Sequence, residues 1–369
     1  MVLVAAGGTG GHIFPGLAVA DAVRRSEPDA RVVFMGTNRG LEGRLVPERG
    51  YPLRIVAMRP LTRKLGIAPV LAVLSFFRAT FQARRILRRD RVDVVVGMGG
   101  YASLPAVAAA GLRGIPSIVH ESGAVPGLAN KVAARFTRNV AVAFEDASRS
   151  LPRPARVIGM PLDPGLASVD RPALRSSARR ELKLPEEGRV VLIVGGSLGA
   201  KRLNELGVSL AARWRDSERI RVLLKAGSDH LPEVERSLRE LGASEVVRSV
   251  AFIERMDHAY AAADVAVCRA GAGTVAELAA AGLPAVLIPY PHAPDDHQTK
   301  NGGPLARAGG AVIVPDAQAV GERIGPLIEE MLDQPGKLEV MSKAARGLAR
   351  PGAAEDLAAW ALELAGTRR

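Results

Sequence analysis

Two glycine-rich turns constrain this chain more than any other feature. Each follows a short apolar run, and each opens one half of the sequence. The first is Ala6-Gly7-Gly8-Thr9-Gly10-Gly11-His12, after Val2–Ala5. The second is Gly195-Gly196-Ser197-Leu198-Gly199-Ala200, after Val190–Val194. Glycine lets the backbone approach a ligand closely, and a helix that follows aims unpaired N–H groups and its positive dipole end at an anion. Two such turns predict two α/β domains and two phosphate-bearing ligands. The length of 369 residues agrees, being about twice that of a common domain.

Short β-branched runs alternate with helix-length connections throughout. The predicted strands of the first half are Val2–Ala5, Arg31–Gly36, Leu53–Met58, Val92–Gly97, Ser117–His120, Val140–Phe144 and Arg156–Ile158. Those of the second are Arg189–Val194, Arg221–Lys225, Val250–Ile253, Val265–Cys268, Ala285–Pro289 and Ala311–Val314. Many are apolar at consecutive positions, the pattern of parallel strands covered on both faces. Helical crossovers between them make right-handed βαβ units. The strand–helix count restarts near Gly159–Pro164, which places one domain at 1–161 and a second at 162–340. The tail, 341–369, reads as helices broken at Arg350-Pro351-Gly352, packing back on the first domain.

Val2–Ala5 is too short for a signal-peptide core and has no basic residue before it, so it reads as the first strand. No stretch reaches the roughly 18 apolar residues of a membrane span. The single cysteine, Cys268, excludes an intramolecular disulfide and a thiolate-rich metal cluster.

The net charge of +12 is largely local: ten basic residues lie between Arg54 and Arg91 against one acid, Asp90. Beside them runs Ile67–Phe77, apolar on nearly every face of a predicted helix over 67–89. An apolar knob with a cationic collar suits the surface of an anionic membrane. A buried helix with a basic tail is the second reading. Nucleic acid ranks last, since no aromatic-interleaved basic motif is present.

The first turn is not the dinucleotide fingerprint: counted from Gly8, the final glycine position holds Ile13, and no Walker lysine pair occurs. What remains is a glycine turn with His12 at a helix start and Pro15 in the first helical turn. The dipole disfavours the charged imidazole there, so His12 reads either as a neutral base or as a hydrogen-bond donor to bound phosphate. A third turn, Gly97-Met98-Gly99-Gly100-Tyr101, ends another predicted strand. In the second half, Arg269–Glu277 follows the strand Val265–Cys268. Glu277 lies one helical turn after Thr274 and reads as a ribose partner or as the capping-box mate of Thr274. Pro291–Gln298 reads as a polar loop touching sugar hydroxyls rather than a metal site, because no second acid–histidine cluster completes a shell.

In combination these segments resemble the MurG family of glycosyltransferases. Ala6–Gly16 is similar to its first signature loop, Gly97–Tyr101 and Gly195–Asn204 to its other glycine loops, and Val267–Glu277 with Gly282-Leu283-Pro284 to its donor-site strand and helix. The likeness runs in order along essentially the whole chain. It implies a GT-B fold, two Rossmann-like parallel-sheet domains facing across a cleft, with no metal and no cofactor. The implied reaction is inverting transfer of N-acetylglucosamine from UDP-N-acetylglucosamine to undecaprenyl-diphospho-muramoyl-pentapeptide (lipid I), giving lipid II for the bacterial cell wall. It further implies a peripheral protein on the cytoplasmic face of the cell membrane, in contact with other cell-wall synthesis proteins and not with nucleic acid.

Carried over by position, the resemblance assigns Thr9, Gly10 and Gly11 to the donor-sugar side of the cleft and His12 to base or phosphate contact. Gly99, Gly100 and Tyr101 fall on the acceptor side, with Glu121 a weaker candidate base. Ser197, Leu198 and Gly199 fall at the donor diphosphate, Ile253 at the uracil through its backbone, and Ala272, Gly273, Thr274, Val275 and Ala276 along the diphosphate. Glu277 falls at the ribose and Gln298 at the sugar. Leu74, Phe76, Phe77, Phe81, Arg84 and Arg85 fall in the membrane-docking region.

Three departures stand out. Gly123 replaces a family asparagine, Asp163 replaces an arginine near the domain joint, and Leu224-Lys225 replaces a His-Gln pair. A carboxylate in place of a guanidinium beside a diphosphate costs electrostatic stabilisation unless another cation, such as Lys225, substitutes. These departures keep two alternatives open: a related UDP-sugar transferase with another lipid acceptor or donor, and a divergent low-activity protein that binds UDP-sugar or lipid.

Overall fold

The computed structural model describes residues 1–38, 40–58, 67–196 and 199–367, with side chains of 67–70 excepted. The chain divides into two compact units, Met1–Pro164 with the segment from Arg350 on, and Gly165–Ala349. Of the C-terminal helices, Ala353–Gly366 joins the first unit, whereas Lys337–Arg346 stays in the second. The sequence reading grouped the end of that earlier helix with the returning tail. Its Met341 instead packs into the second unit's core.

The first unit holds strands β1 (Val2–Ala5), β2 (Val32–Gly36), β3 (Leu53–Ile55), β4 (Val94–Gly97), β5 (Ser117–Glu121), β6 (Asn139–Val142) and β7 (Arg156–Val157). They pair in parallel in the order β3-β2-β1-β4-β5-β6-β7. The second holds β8 (Arg189–Val194), β9 (Ile220–Lys225), β10 (Val247–Val250), β11 (Val265–Cys268), β12 (Ala285–Leu287) and β13 (Ala311–Ile313), ordered β10-β9-β8-β11-β12-β13. All of these pairs are parallel too. Both sheets thus follow the 3-2-1-4-5-6 order of doubly wound nucleotide-binding folds, in which the chain reverses direction beside the first strand.

The consecutive apolar runs are explained by burial on both faces. All four residues of β1 are buried. Helices Gly10–Ser26 and Ala353–Gly366 cover one face of the first sheet, through residues such as Leu17, Val19, Leu357 and Ala361. Helices Ile67–Arg89 and Ser103–Gly111 cover the other, through Ala79, Ala83, Leu87 and Leu104. In the second unit Leu203, Leu206, Leu210, Ile324 and Ile328 close over β8 and β9.

One strand differs from expectation. β10 spans Val247–Val250, not Val250–Ile253, because Val247 pairs with Val222 and Val250 with Lys225. Val246 and Val247 turn into the core, whereas Phe252 is 61% exposed beyond the strand end. Inward-facing arginines were not foreseen either. Arg171, Arg175 and Arg179, four apart on helix Arg171–Glu181, share one face. Arg179 is fully buried and donates to the carbonyls of Ala262, Glu186 and Gly188 and to Asp264. A charge so placed is tolerated because its donors are all directed at acceptors.

Candidate active site

In a doubly wound sheet, ligands bind past the carboxyl ends of the two strands that flank the reversal point. Those strands are β1 and β4 in the first unit, β8 and β11 in the second. The four glycine turns of the sequence leave these four strands and no others: Gly7–His12 follows β1, Gly97–Tyr101 ends β4, Gly195–Ala200 follows β8, and Gly271–Glu277 follows β11.

In the first unit the two turns interlock. Thr9 is the N-cap of helix Gly10–Ser26, and its carbonyl accepts from His12 and Ile13. The leading N–H groups of Gly10 and Gly11 lie in the first helical turn, where no intrahelical partner exists. His12 projects beneath the β4 turn. A methyl on Gly99 would stand 2.7 Å from its Cδ2, and φ at Gly99 is +97°. A methyl on Gly100, where φ is +77°, would collide with the Gly7 carbonyl. Burial lowers the His12 pKa below its usual value, opposed in part by the Gly7 backbone. Its Nδ1 is buried with no hydrogen-bond partner among the described residues. The site therefore holds a neutral imidazole with an uncommitted nitrogen. Tyr101 is partly exposed at the rim.

Behind His12 lies a second buried histidine, His120, whose Nε2–H donates to Gly159 O at 2.8 Å. Burial, and then the nearby His12, push its pKa down to about 4, so it is neutral. Glu121 accepts from Gly123 N at 2.8 Å, Gly127 N at 3.0 Å and Asn130 Nδ2 at 2.9 Å. Burial raises its pKa and those donors pull it back. Both oxygens are thus occupied in shaping the 121–127 loop, which argues against Glu121 as the base. Gly123 contributes its backbone N–H to that loop. Asp163 sits at the surface, 3.7 Å from Arg49.

Glu42 was missed by the sequence reading. It is fully buried beneath the first turn. Its Oε2 accepts from Gly8 N at 3.0 Å, and its Oε1 from Thr37 N at 2.9 Å and Thr37 Oγ1 at 2.8 Å. Gly7, Gly36 and Gly40 each leave vacant the space that this one side chain fills. Nothing in the sequence distinguishes Glu42 from the solvated acids of other helix starts.

In the second unit Ser197 and Leu198 lie outside the described residues. Around them, Gly199 N donates to Gly196 O at 3.3 Å. The same carbonyl accepts from Lys225 Nζ at 2.7 Å. Lys225, at the end of β9, is 5% exposed, and its ammonium lies 5.0 Å from the Phe252 ring centroid. Burial lowers its pKa. Ile253 is buried just after Phe252.

Helix Ala272–Ala281 begins at Gly271, and no side chain caps it. Thr274 is therefore inside the helix, and Glu277 is not its capping-box mate. Ala272, Gly273 and Thr274 form the open first turn, with Val275 buried beneath and Ala276 half-buried. Glu277 Oε2 accepts from the Tyr260 hydroxyl at 2.6 Å. Gln298 Oε1 accepts from Tyr290 N at 2.9 Å. His297 Nδ1 contacts Pro294 O at 2.9 Å and Asp296 accepts from Thr299 Oγ1 at 2.7 Å, so that loop is tied within itself. Asp295 and Asp296 both hold positive φ, 55° and 50°. Strain of this kind concentrates at functional loops.

On helix Ile67–Arg89, Leu74, Phe77 and Phe81 are about 60% exposed or more, and Arg84 and Arg85 are exposed one turn further on. Ala72, Ala79 and Ala83 face the core while Leu71, Val73, Leu74 and Phe77 stand exposed, so this part of the helix carries apolar side chains on its covered and uncovered faces alike. Phe76 departs from the expected set: it is half-buried and packs on the core. No helix among the described residues is long and apolar enough to cross a membrane.

Two parallel α/β units of this order, each with a pair of glycine turns at its reversal point, are the layout of the GT-B fold. The Glycosyltransferase family 28 N-terminal domain matches residues 2–142, and the Glycosyltransferase family 28 C-terminal domain matches residues 190–357. The solved structure of Acinetobacter baumannii MurG superposes with a TM-score of 0.77 at 31% identity, covering 98% of this chain and 99% of that one. A UDP-GlcNAc 2-epimerase from Neisseria meningitidis, 13% identical over 98% of this chain and 100% of that one at a TM-score of 0.70, shares the fold. The UDP-N-acetylglucosamine–N-acetylmuramyl-(pentapeptide) pyrophosphoryl-undecaprenol N-acetylglucosamine transferase of a Nocardioides species is 43% identical over 364 residues, 98% of each chain. Its Streptomyces coelicolor counterpart is 42% identical over 351 residues, 95% of this chain and 94% of that one. The chain belongs to this transferase family, the MurG family.

Proposed function

We propose that this protein transfers N-acetylglucosamine from UDP-N-acetylglucosamine to the muramoyl sugar of undecaprenyl-diphospho-N-acetylmuramoyl-pentapeptide, the lipid I to lipid II step of peptidoglycan synthesis. The observation that carries the reading is the pairing of glycine turns at both reversal points, in a chain related over nearly its full length to enzymes named for this transfer.

The acceptor hydroxyl attacks the anomeric carbon of the donor sugar. A new carbon–oxygen bond forms as the bond to the diphosphate oxygen breaks, with inversion. The acceptor proton passes to His12, which burial keeps neutral and whose Nδ1 is uncommitted. Its neighbours Gly99, Gly100 and Tyr101 frame the acceptor, and Thr9, Gly10 and Gly11 take the donor-sugar side. UDP leaves with the charge of its diphosphate. The first turn of helix Ala272–Ala281 and the Gly195–Ala200 turn stabilise that charge with N–H groups and the helix dipole. Lys225 stands beside the latter turn as the nearby cation. Glu277 takes the ribose, the backbone at Ile253 the uracil, and Gln298 the sugar.

Turnover of a short-chain lipid I analogue with a panel of UDP-sugars tests the reading. UDP-N-acetylglucosamine should be used well above the others, and failure with every donor would overturn it.

The same reading places the protein on the cytoplasmic membrane face as a peripheral protein. The exposed Leu74, Phe77 and Phe81 beside Arg84 and Arg85 support docking on anionic lipid. Phe77→Asp combined with Phe81→Asp should weaken binding to anionic liposomes about tenfold or more with folding intact. Unchanged liposome binding would sink the docking role.

A further inference from the structure

We propose that Tyr260 is the positioning residue for the nucleotide ribose: its hydroxyl fixes one oxygen of Glu277, so that the carboxylate meets a vicinal diol in a single orientation. The proposal rests on Glu277 as the ribose partner.

Glu277 lies in the second turn of helix Ala272–Ala281. Its Oε1 leans back toward the helix start, 3.7 Å from where a side chain on Gly273 would begin. The carboxylate therefore lies beside the open first turn. From Gly273 to Glu277 the axial rise is roughly 6 Å, about the step from the diphosphate to the ribose hydroxyls of one nucleotide. An anion over the first turn thus brings a ribose to Glu277.

The two oxygens of Glu277 differ. Oε2 accepts from the Tyr260 hydroxyl at 2.6 Å. Oε1 has no hydrogen-bond partner among the described residues. Each carboxylate oxygen accepts two hydrogen bonds, so Oε2 keeps one free site and Oε1 keeps both. That inventory suits two donors from one diol. Tyr260 itself is 2% exposed on helix Met256–Ala262, locked by packing, and its hydroxyl is turned to Glu277. Burial raises the Glu277 pKa and the Tyr260 hydrogen bond lowers it. Among the described residues the other titratable group facing this pair is Cys268 of β11, a thiol pushed up to about 12 by burial and so uncharged at neutral pH. Tyr260 therefore supplies both orientation and a more acidic carboxylate.

The test is Tyr260→Phe in the full-length protein, with affinities for UDP and 2′-deoxy-UDP measured across pH. The wild-type protein should prefer UDP by roughly tenfold or more, the scale of a hydrogen bond to a charged group. In the variant that ratio should fall several-fold. Its KM for UDP-N-acetylglucosamine should rise with kcat little changed. The acid limb of UDP binding should move to higher pH, because Glu277 loses the hydrogen bond that favours its ionised form. Affinity for 2′-deoxy-UDP should stay the same, which marks an intact pocket. A wild-type UDP to 2′-deoxy-UDP ratio in Tyr260→Phe, or an equal loss of both ligands, would overturn the proposal. Glu277→Ala separates the premise: if it too keeps the wild-type ratio, Glu277 does not read the ribose. If it abolishes the ratio while Tyr260→Phe keeps it, only the role of Tyr260 fails.

Discussion

The first and second glycine turns look alike in sequence, yet opposite charges stand behind them. Beneath the first lies the Glu42 carboxylate, which takes the Gly8 N–H. Beside the second lies the Lys225 ammonium, which is bound to the Gly196 carbonyl. One turn is held from below by an acceptor, the other from the side by a donor. An anion at the first turn would find one N–H already spent and a carboxylate below it. An anion at the second would find a cation. The expectation of two phosphate-bearing ligands is thereby sharpened into a difference in charge between the two turns. In the proposed reaction the second unit receives the departing diphosphate, whereas the first is built around a neutral histidine. Charge near a turn, not the glycines, separates the two.

The largest way to test that division is His12→Ala. If the first unit supplies the base, kcat should fall about 10²- to 10⁴-fold with UDP affinity unchanged. Normal turnover would remove His12 from the chemistry. The pH dependence carries a sign as well. The base works when neutral, and burial lowers its pKa, so kcat should hold as pH falls through 6.5 and decline only below it. A decline centred above 6.5 would contradict the buried environment of the ring.

Next in size is Gly99→Ala. The added methyl meets the His12 ring, and φ of +97° strains any residue with a Cβ. A displacement of the ring by about 1 Å is expected to cost about 100-fold in kcat. UDP affinity, which the proposed function assigns to the other unit, should not move, and loss of UDP binding would break the comparison.

Glu42→Gln should be felt chiefly as stability. The amide keeps the shape but turns an NH₂ toward donors that need an acceptor. Leaving one of them unpaired costs about 2 kcal/mol, a fall in melting temperature of about 5 °C for a domain of this size. Unchanged melting would mean that the glycine cage tolerates a neutral occupant and that its charge is not structural.

The smallest expected effect is that of Lys225→Gln. It should weaken UDP binding about fivefold to tenfold, roughly 1 kcal/mol, while uridine binding stays constant. If UDP and uridine weaken together, Lys225 is only a clamp on Gly196, and the electrostatic contrast between the turns fails.

Much of this architecture was legible because parallel strands covered on both faces leave consecutive apolar runs. Twelve of the strands fall where those runs lie, give or take end residues. The exception, β10, was misplaced because Val250–Ile253 is wholly apolar, whereas Val247–Val250 carries Arg248 and Ser249. Only the pairing with β9 decides between them. Helix Ile67–Arg89 was legible in its bounds but not in its faces. Phe76 and Phe77 are identical in type and adjacent, so nothing local says which turns toward the core.

The site divides in the same way. Glycines at strand ends, a histidine at a helix start and an acid one turn into another helix are local patterns, and the sequence alone determined them. Glu42, Tyr260 and Asn130 carry no local mark. Their meaning comes from partners 34, 17 and 9 residues away. The sequence by itself determined that there would be four glycine turns and two parallel sheets, because backbone freedom and hydrophobic periodicity act over a few residues. Only the tertiary structure decided which turns meet, because β4 returns beside β1 and β11 beside β8. It alone set Glu42 under one pair and Lys225 beside the other, since buried charge is fixed by what folds around it and not by its neighbours in the chain.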